Sequence, residues 1–287
     1  MIIAIWGCGG VGKTTIASAL GSIYARKDTV GVIDTCLSHP TLPVHMPEKK
    51  LDAELSLGRF LNRLGSNEIR PYFHQSPACD GLFFAGLSDG DSYTDFEIGL
   101  EATDRARDFL LQSEKMLGTV ILDCSVQRND PFLPVMLREA DIIILPIVPN
   151  VDAVYWFSSI KPMLSDAGAL AKTIPVAVMT MPFHLIDEVE KQLDMKFAAE
   201  FRFCRDVAQA HDECRLATEA NRKDGLIWSN NLHKLHQEIE NRIADAAFGP
   251  LSEVVDGRVK PFPRFSTTPP MKRQRQRKIT PTVVHCP

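Results

Sequence analysis

The stretch IAIWGCGGVGKTT, residues 3–15, constrains the fold more than any other part of the chain. Two phosphate-binding patterns overlap in it. Gly7-x-Gly9-x-x-Gly12 fits a dinucleotide fingerprint, and Gly7-x-x-x-x-Gly12-Lys13-Thr14 fits a P-loop. Both need glycine, because only a residue without Cβ lets backbone N–H groups close around an anion at a helix N-terminus.

One observation favours the dinucleotide pattern. An acid, Asp34, ends the next apolar run about 20 residues on, where it could hold a ribose hydroxyl. Two observations favour the P-loop. Lys13-Thr14-Thr15 follows the last glycine at once and supplies an ammonium for β/γ-phosphates and a hydroxyl for Mg²⁺. Far along the chain, TVILD ends in Asp123, the carboxylate that a P-loop ATPase places near its magnesium. ATP with Mg²⁺ is therefore the expected cofactor.

The surrounding pattern agrees with that choice. Apolar runs at 2–6, 29–34, 81–86, 118–123, 140–148 and 173–180 alternate with stretches of helical periodicity. The runs do not alternate apolar with polar residues, so they predict central strands covered on both faces. Helices are predicted at 14–27, 53–64, 97–117, 130–139, 151–166, 184–195 and 205–221. A last helix places Trp228, Leu232, Leu235, Ile239 and Ile243 on one stripe. The expected fold class is α/β, a three-layer P-loop NTPase sandwich with a mostly parallel central sheet and helices on both faces.

The pattern stops after Gly249-Pro250. A domain at 1–249 and a basic, Pro-rich, disordered tail at 250–287 are expected. From residue 251 on, eight Lys/Arg face two acids, an excess of six positive charges. Since the whole chain carries −4, the remainder carries −10, and a basic tail follows an acidic body. The cluster MKRQRQRK (271–278) could clamp DNA phosphates or anionic lipid, or serve only solubility. It lacks the aromatic and leucine stripe of a membrane helix, so DNA or an acidic protein is the expected partner.

MIIAIW runs directly into the glycine loop and reads as a buried strand, not a signal peptide. No apolar run approaches the roughly 20 residues of a transmembrane span, and the expected location is cytoplasmic. Seven cysteines without a C-x-x-C pair argue against a disulfide framework or zinc module. A serine hydrolase is excluded for want of a G-x-S-x-G elbow. His233 and His236 read as a solvated helix face, and Ser38, His39 and His45 as polar loop residues.

GCGGVGKTT, VGVIDTC, VILDCS and LREADIIILPIVPNVDAV together resemble the MinD/ParA-type deviant Walker A ATPases across residues 1–247. AEFRFCRDVAQAHDE (199–213) is similar to the family's late strand and helix near the nucleotide base. The resemblance implies that Gly9, Gly10, Val11, Gly12, Lys13, Thr14 and Thr15 wrap the phosphates, that Lys13 pairs with β/γ oxygens, that Thr14 ligates Mg²⁺ and that Asp123 holds the metal through water. It matches Asp34 to the first switch acid and Pro149 to the loop bordering the base. It also implies a nucleotide-dependent homodimer.

Three departures modify that implication. The family's extra lysine, which reaches across the dimer to the partner's phosphates, is replaced by Cys8. The second switch acid, which orients the attacking water, is replaced by Cys36, and no adenine-contacting Asn follows IPVAVM. Such contributions are worth about 10³-fold in related phosphoryl transfers, so weak ATP hydrolysis is expected.

An intact loop with altered catalytic positions resembles the TadZ/CpaE branch, which places pilus or secretion machinery. The expected function is nucleotide-switched positioning or partitioning of a cargo. The alternatives are a non-catalytic ATP-binding scaffold or a metal-centre maturation ATPase. Cys8, Cys36 and Cys124 each stand just past a strand end, where ligands gather. They read either as small tolerated residues or as thiols, one with a pKa lowered by a helix N-terminus, whose oxidation or soft-metal binding controls nucleotide access.

Overall fold

The structure, a computed structural model, describes residues 1–47, 49, 51–62, 68–92, 94–96, 99 and 101–248. Eight strands form one sheet: β1 (Ile2–Ile5), β2 (Val30–Asp34), β3 (His74–Gln75), β4 (Leu82–Ala85), β5 (Thr119–Asp123), β6 (Ile142–Ile147), β7 (Thr173–Thr180) and β8 (Glu200–Arg202). Their order is β3-β4-β2-β5-β1-β6-β7-β8. Only the β3–β4 pairing is antiparallel. All six predicted runs are strands of this sheet.

Continuous apolar runs are needed because neighbouring residues of a buried strand face opposite layers. In β1, Ile2 and Ala4 pack into one core and Ile3 and Ile5 into the other; in β5, Val120 and Leu122 oppose Ile121 in the same way. Pro146 is tolerated inside β6 because pairing with β1 ends at Ile144. Past that point the Pro146 carbonyl meets the start of the glycine loop instead of a strand. A Cβ on Gly7 would stand 2.9 Å from that oxygen, so the first glycine is fixed by close approach.

Nine α-helices are described: α1 (Lys13–Tyr24), α2 (Leu42–His45), α3 (Leu57–Asn62), α4 (Ala102–Met116), α5 (Leu133–Glu139), α6 (Val151–Asp166), α7 (Ile186–Leu193), α8 (Arg205–Asp212) and α9 (Lys223–Phe248). α3 through α7 contribute to the core containing Phe60, Phe109, Val135, Phe157 and Val189. α1, α8 and α9 cover the opposite face through Ile16, Leu20, Val207, Leu232 and Ile239. The predicted α9 stripe holds, with Trp228, Leu232, Leu235 and Ile239 buried and Ile243 packed at its edge.

Helix ends depart from the predicted limits for local reasons. α6 begins at 151 as predicted, where the Asn150 side chain accepts from Ala153 N at 2.9 Å. The predicted 53–64 helix divides: Asp52 caps a 3₁₀ turn at Ala53–Leu55, and α3 starts after Ser56. α5 starts at 133 rather than 130 because Asp130 Oδ1 accepts from Phe132 N and holds the preceding turn. The predicted 205–221 helix ends at Asp212, and Cys214 follows at φ 55, a left-handed turn that stops the helix. Residues 250–287 and the basic cluster lie outside the described residues, as do positions 63, 64, 97, 98 and 100 of two predicted helices.

Candidate functional site

The glycine loop joins β1 to α1 at the carboxyl edge of the sheet. Gly10 and Gly12 have φ of +70 and +77, the left-handed region that a side chain strains. Gly12 caps α1 with no side-chain bond, and the first helical bond runs from Ile16 N to the Gly12 carbonyl at 3.0 Å. The N–H groups of Lys13, Thr14 and Thr15 are thus outside the helical ladder and free to meet an anion. Lys13 curls back over the loop, its Nζ donating to the Cys8 carbonyl at 3.0 Å.

Asp123 ends β5, and its Oδ2 accepts from Thr14 Oγ1. Asp34 ends β2 directly opposite Asp123 in the strand register, and both carboxylates are buried. Burial, followed by the charge of Asp34, pushes Asp123 up to about 8. Burial raises Asp34 to about 6, against the bond it accepts from Cys36 N at 2.9 Å and the nearby Lys13 ammonium. Two adjacent carboxylates with a hydroxyl beside them form a hard, oxygen-only donor set. The chemistry of that set fits Mg²⁺.

A third buried carboxylate belongs to the same edge, and sequence reasoning missed it. Asp130 Oδ2 accepts from Thr35 Oγ1, which in turn accepts from Ser125 N at 2.8 Å. Asp130 thereby ties the loop after β2 to the loop after β5. Burial holds it up at about 6, although the Thr35 hydroxyl and the Phe132 and Ser125 amides pull it down. The Asp-Pro pair ahead of an apolar run was the available signal, since it marks a helix start.

Beside the loop lies a cavity of about 370 Å³ whose far wall includes Met179, Phe203, Val207 and His211. Met179 sits at a register shift between β7 and β8 with φ 50. Left-handed backbone at a non-glycine residue beside a cavity is the kind of strain that functional sites retain.

Of the residues expected around the phosphates, Gly10, Val11, Gly12, Lys13, Thr14 and Thr15 line this cavity. Gly9 is exposed on the loop. Pro149 lines a separate cleft with Asn150, Tyr155 and Phe183 and does not border the cavity. β8 and α8 supply that border instead. The aromatic and histidine side chains at 203 and 211 are the ones that sequence patterns did not single out.

The cysteine expectations need correction. Burial pushes the Cys8 thiol up, outweighing the pull of Lys13, where a lowered thiol was expected. Cys124 is buried with its Sγ against the Leu122 carbonyl, and its thiol is also raised. Among the described residues, no group of three or more His, Cys, Asp or Glu is placed to hold a metal ion. His233 is exposed, whereas His236 packs on Tyr24 with ring centroids 4.7 Å apart. No helix among the described residues is long and apolar enough to cross a membrane.

No family model matches the chain. No curated protein matches it either. Solved structures do. MinD of Pyrococcus horikoshii, complexed with Mg-ADP, is 14% identical with a TM-score of 0.68, covering 85% of this chain and 97% of that one. A ParA family ATPase from Chlorobium tepidum is 13% identical with a TM-score of 0.63, covering 84% and 98%. A substituted McdA of Cyanothece in complex with ATP is 14% identical with a TM-score of 0.65, covering 85% and 96%. By architecture the chain has the fold of the MinD, ParA and McdA ATPases.

Proposed function

We propose that the chain is an ATP-binding protein of MinD/ParA type, which switches between nucleotide states to position a cargo and hydrolyses ATP weakly. The observation that carries this reading is the junction of α1 with β5. Lys13 and Thr14 open the helix, and Thr14 Oγ1 reaches Asp123 across 109 residues of sequence. Gly9 through Thr15 would wrap the phosphates with N–H groups, and Lys13 would leave the Cys8 carbonyl for the β/γ oxygens. Thr14 and Asp123 would hold Mg²⁺, which when bound neutralises charge on the transferring phosphoryl group. Lys13, Asp34 and Asp123 are the residues around which hydrolysis would be arranged. The base would lie along the wall formed by Met179, Phe203, Val207 and His211.

Weak hydrolysis follows from Cys8 and Cys36. The raised Cys8 thiol is neutral and supplies no cation to a partner's phosphates. The Cys36 side chain is engaged by Ser38 and His39 and carries no carboxylate to orient water. A nucleotide-dependent homodimer, a cytoplasmic location and binding of DNA or an acidic protein through residues 271–278 belong to the same reading. A second reading, a non-catalytic ATP-binding scaffold, is favoured by the neutral Cys8 alone.

Phosphate release measured with and without DNA separates the two. A rate above that of Lys13→Ala supports the switch. A rate equal to Lys13→Ala in both conditions overturns it in favour of the scaffold.

A further inference from the structure

Phe201, Phe203 and Trp228 line the cavity beside the glycine loop. Phe201 and Trp228 are buried against each other, with ring centroids 5.1 Å apart. Phe203, by contrast, is 54% exposed. It stands between Arg202, the last residue of β8, and Cys204, the N-cap of α8, so its backbone is fixed on both sides while its ring stays open. Met179 reaches the same space from β7. The register shift leaves Met179 without a partner on β8, since Val178 pairs with Phe201 and Thr180 with Arg202. Its side chain is 37% exposed, and its Cε stands 4.0 Å from where a Cβ on Gly12 would lie, so the thioether spans from strand end to phosphate loop. A phenyl ring and a thioether both hold a flat aromatic ligand without asking for a particular hydrogen-bond pattern.

The polar side chains on this side of the cavity are of a different kind. Arg202, His211 and Asp212 line it and are all exposed. Arg202 Nε is already paired with Glu200 Oε1 at 3.3 Å. Strong discrimination between ligands needs polar groups that are buried and lose their partner when the wrong ligand binds; at an exposed group, water takes the missing place. His211 can donate or accept according to its tautomer, and the Asp212 carboxylate accepts from the exocyclic amino group that adenine and guanine both carry.

We propose that Phe203 stacks on the base of the bound nucleotide, with Met179 against it, and that the site takes purine nucleoside triphosphates of either kind, GTP as well as ATP. The inference rests on the nucleotide-binding reading and adds its base selectivity. The glycine loop and Lys13 hold the phosphates, and Phe203 holds the base. Stacking on an aromatic side chain tolerates different bases because each has a π-face. A two-ring purine covers more of the Phe203 ring than a one-ring pyrimidine, so the site favours purines over pyrimidines without choosing between the purines.

The test is calorimetric titration of ATP, GTP, UTP and inorganic tripolyphosphate, each in Mg²⁺, into the full chain and into Phe203→Ala and Phe203→Trp. ATP and GTP are expected to bind within about tenfold of each other, and UTP more weakly than both. Phe203→Ala is expected to keep the parent's urea midpoint, to weaken ATP and GTP by about tenfold each, and to leave tripolyphosphate, which has no base, unchanged. In Phe203→Trp the affinities are retained, and the added indole emission is quenched by ATP and not by tripolyphosphate.

A difference between ATP and GTP greater than about tenfold, or UTP as tight as ATP, overturns the shared purine site. Equal ATP affinity in the parent and Phe203→Ala, or a parallel loss of tripolyphosphate, overturns the stacking and leaves the nucleotide reading standing. A parent that binds neither ATP nor tripolyphosphate overturns the nucleotide reading itself.

Discussion

Thr35→Val removes one hydroxyl from a site that water does not reach. Thr35 is 1% exposed and Asp130 4% exposed, and valine fills the same volume, so no cavity opens. Two hydrogen bonds are lost: the one to the Asp130 carboxylate and the one from Ser125 N. Loss of a bond to a charged acceptor and of one from a buried amide costs about 2–3 kcal/mol. The cost is also pH-dependent. Asp130 stands at about 6 in the folded protein, above its unfolded value of 3.8, so its ionisation lowers stability as pH rises through that window. The Thr35 hydroxyl favours the ionised form, and removing it raises the folded value further. The penalty of Thr35→Val is therefore larger at pH 8 than at pH 4.5, where Asp130 is largely protonated with or without the hydroxyl. Urea unfolding of parent and variant at both pH values measures it. A difference under about 0.5 kcal/mol at pH 8, or one that grows toward pH 4.5, refutes the assignment of Asp130 as the tie between the two loops.

Three further outcomes follow from the same geometry. Gly12→Ala meets no atom closer than 4.0 Å, the Met179 Cε, but must adopt φ +77; it should lower stability by about 1–2 kcal/mol in urea unfolding. The His45 ring stacks on Phe84 at 4.1 Å, and loss of water around it, with the charge of His211, lowers its pKa to about 4. Because that lies below the unfolded value of 6.5, stability falls as pH drops from 6.5 toward 4, by up to about 3 kcal/mol, and urea unfolding of His45→Phe should show a flatter pH profile. In Asp34→Asn, loss of the neighbouring charge lets Asp123 ionise more readily, so infrared titration of the Asp123 carboxyl should move it down from about 8.

The strands and the phosphate loop were legible because each rests on local chemistry. Parallel strands buried on both faces need runs such as IIAIW and TVILD, and Gly10 and Gly12 need positive φ. β3 and β8 are two and three residues long and include His74, Gln75, Glu200 and Arg202, so they carry no period to detect. β8 entered the reading only through resemblance. Helix ends were set by single contacts, such as Asp130 Oδ1 with Phe132 N, that no periodicity encodes.

The site divided in the same way. Lys13, Thr14, Asp34 and Asp123 stand at loop and strand ends where chemistry and position coincide. Thr35 and Asp130 meet across 95 residues, and that pairing exists only once β2 and β5 lie side by side. Pro149 lines a cleft beside α7, and the wall of the cavity beside the glycine loop comes from β8 and α8. Ser38 and His39 read as ordinary loop polarity until the turn folded them onto Cys36.

The most direct measurement is calorimetric titration of ATP into the full chain in Mg²⁺ and in EDTA, for the parent and for Lys13→Ala. The account predicts saturable one-site binding, tighter with Mg²⁺, and a loss of about tenfold or more in Lys13→Ala from one charged hydrogen bond to phosphate. No saturable binding, or equal affinity in parent and Lys13→Ala, contradicts the placement of a nucleotide on this loop.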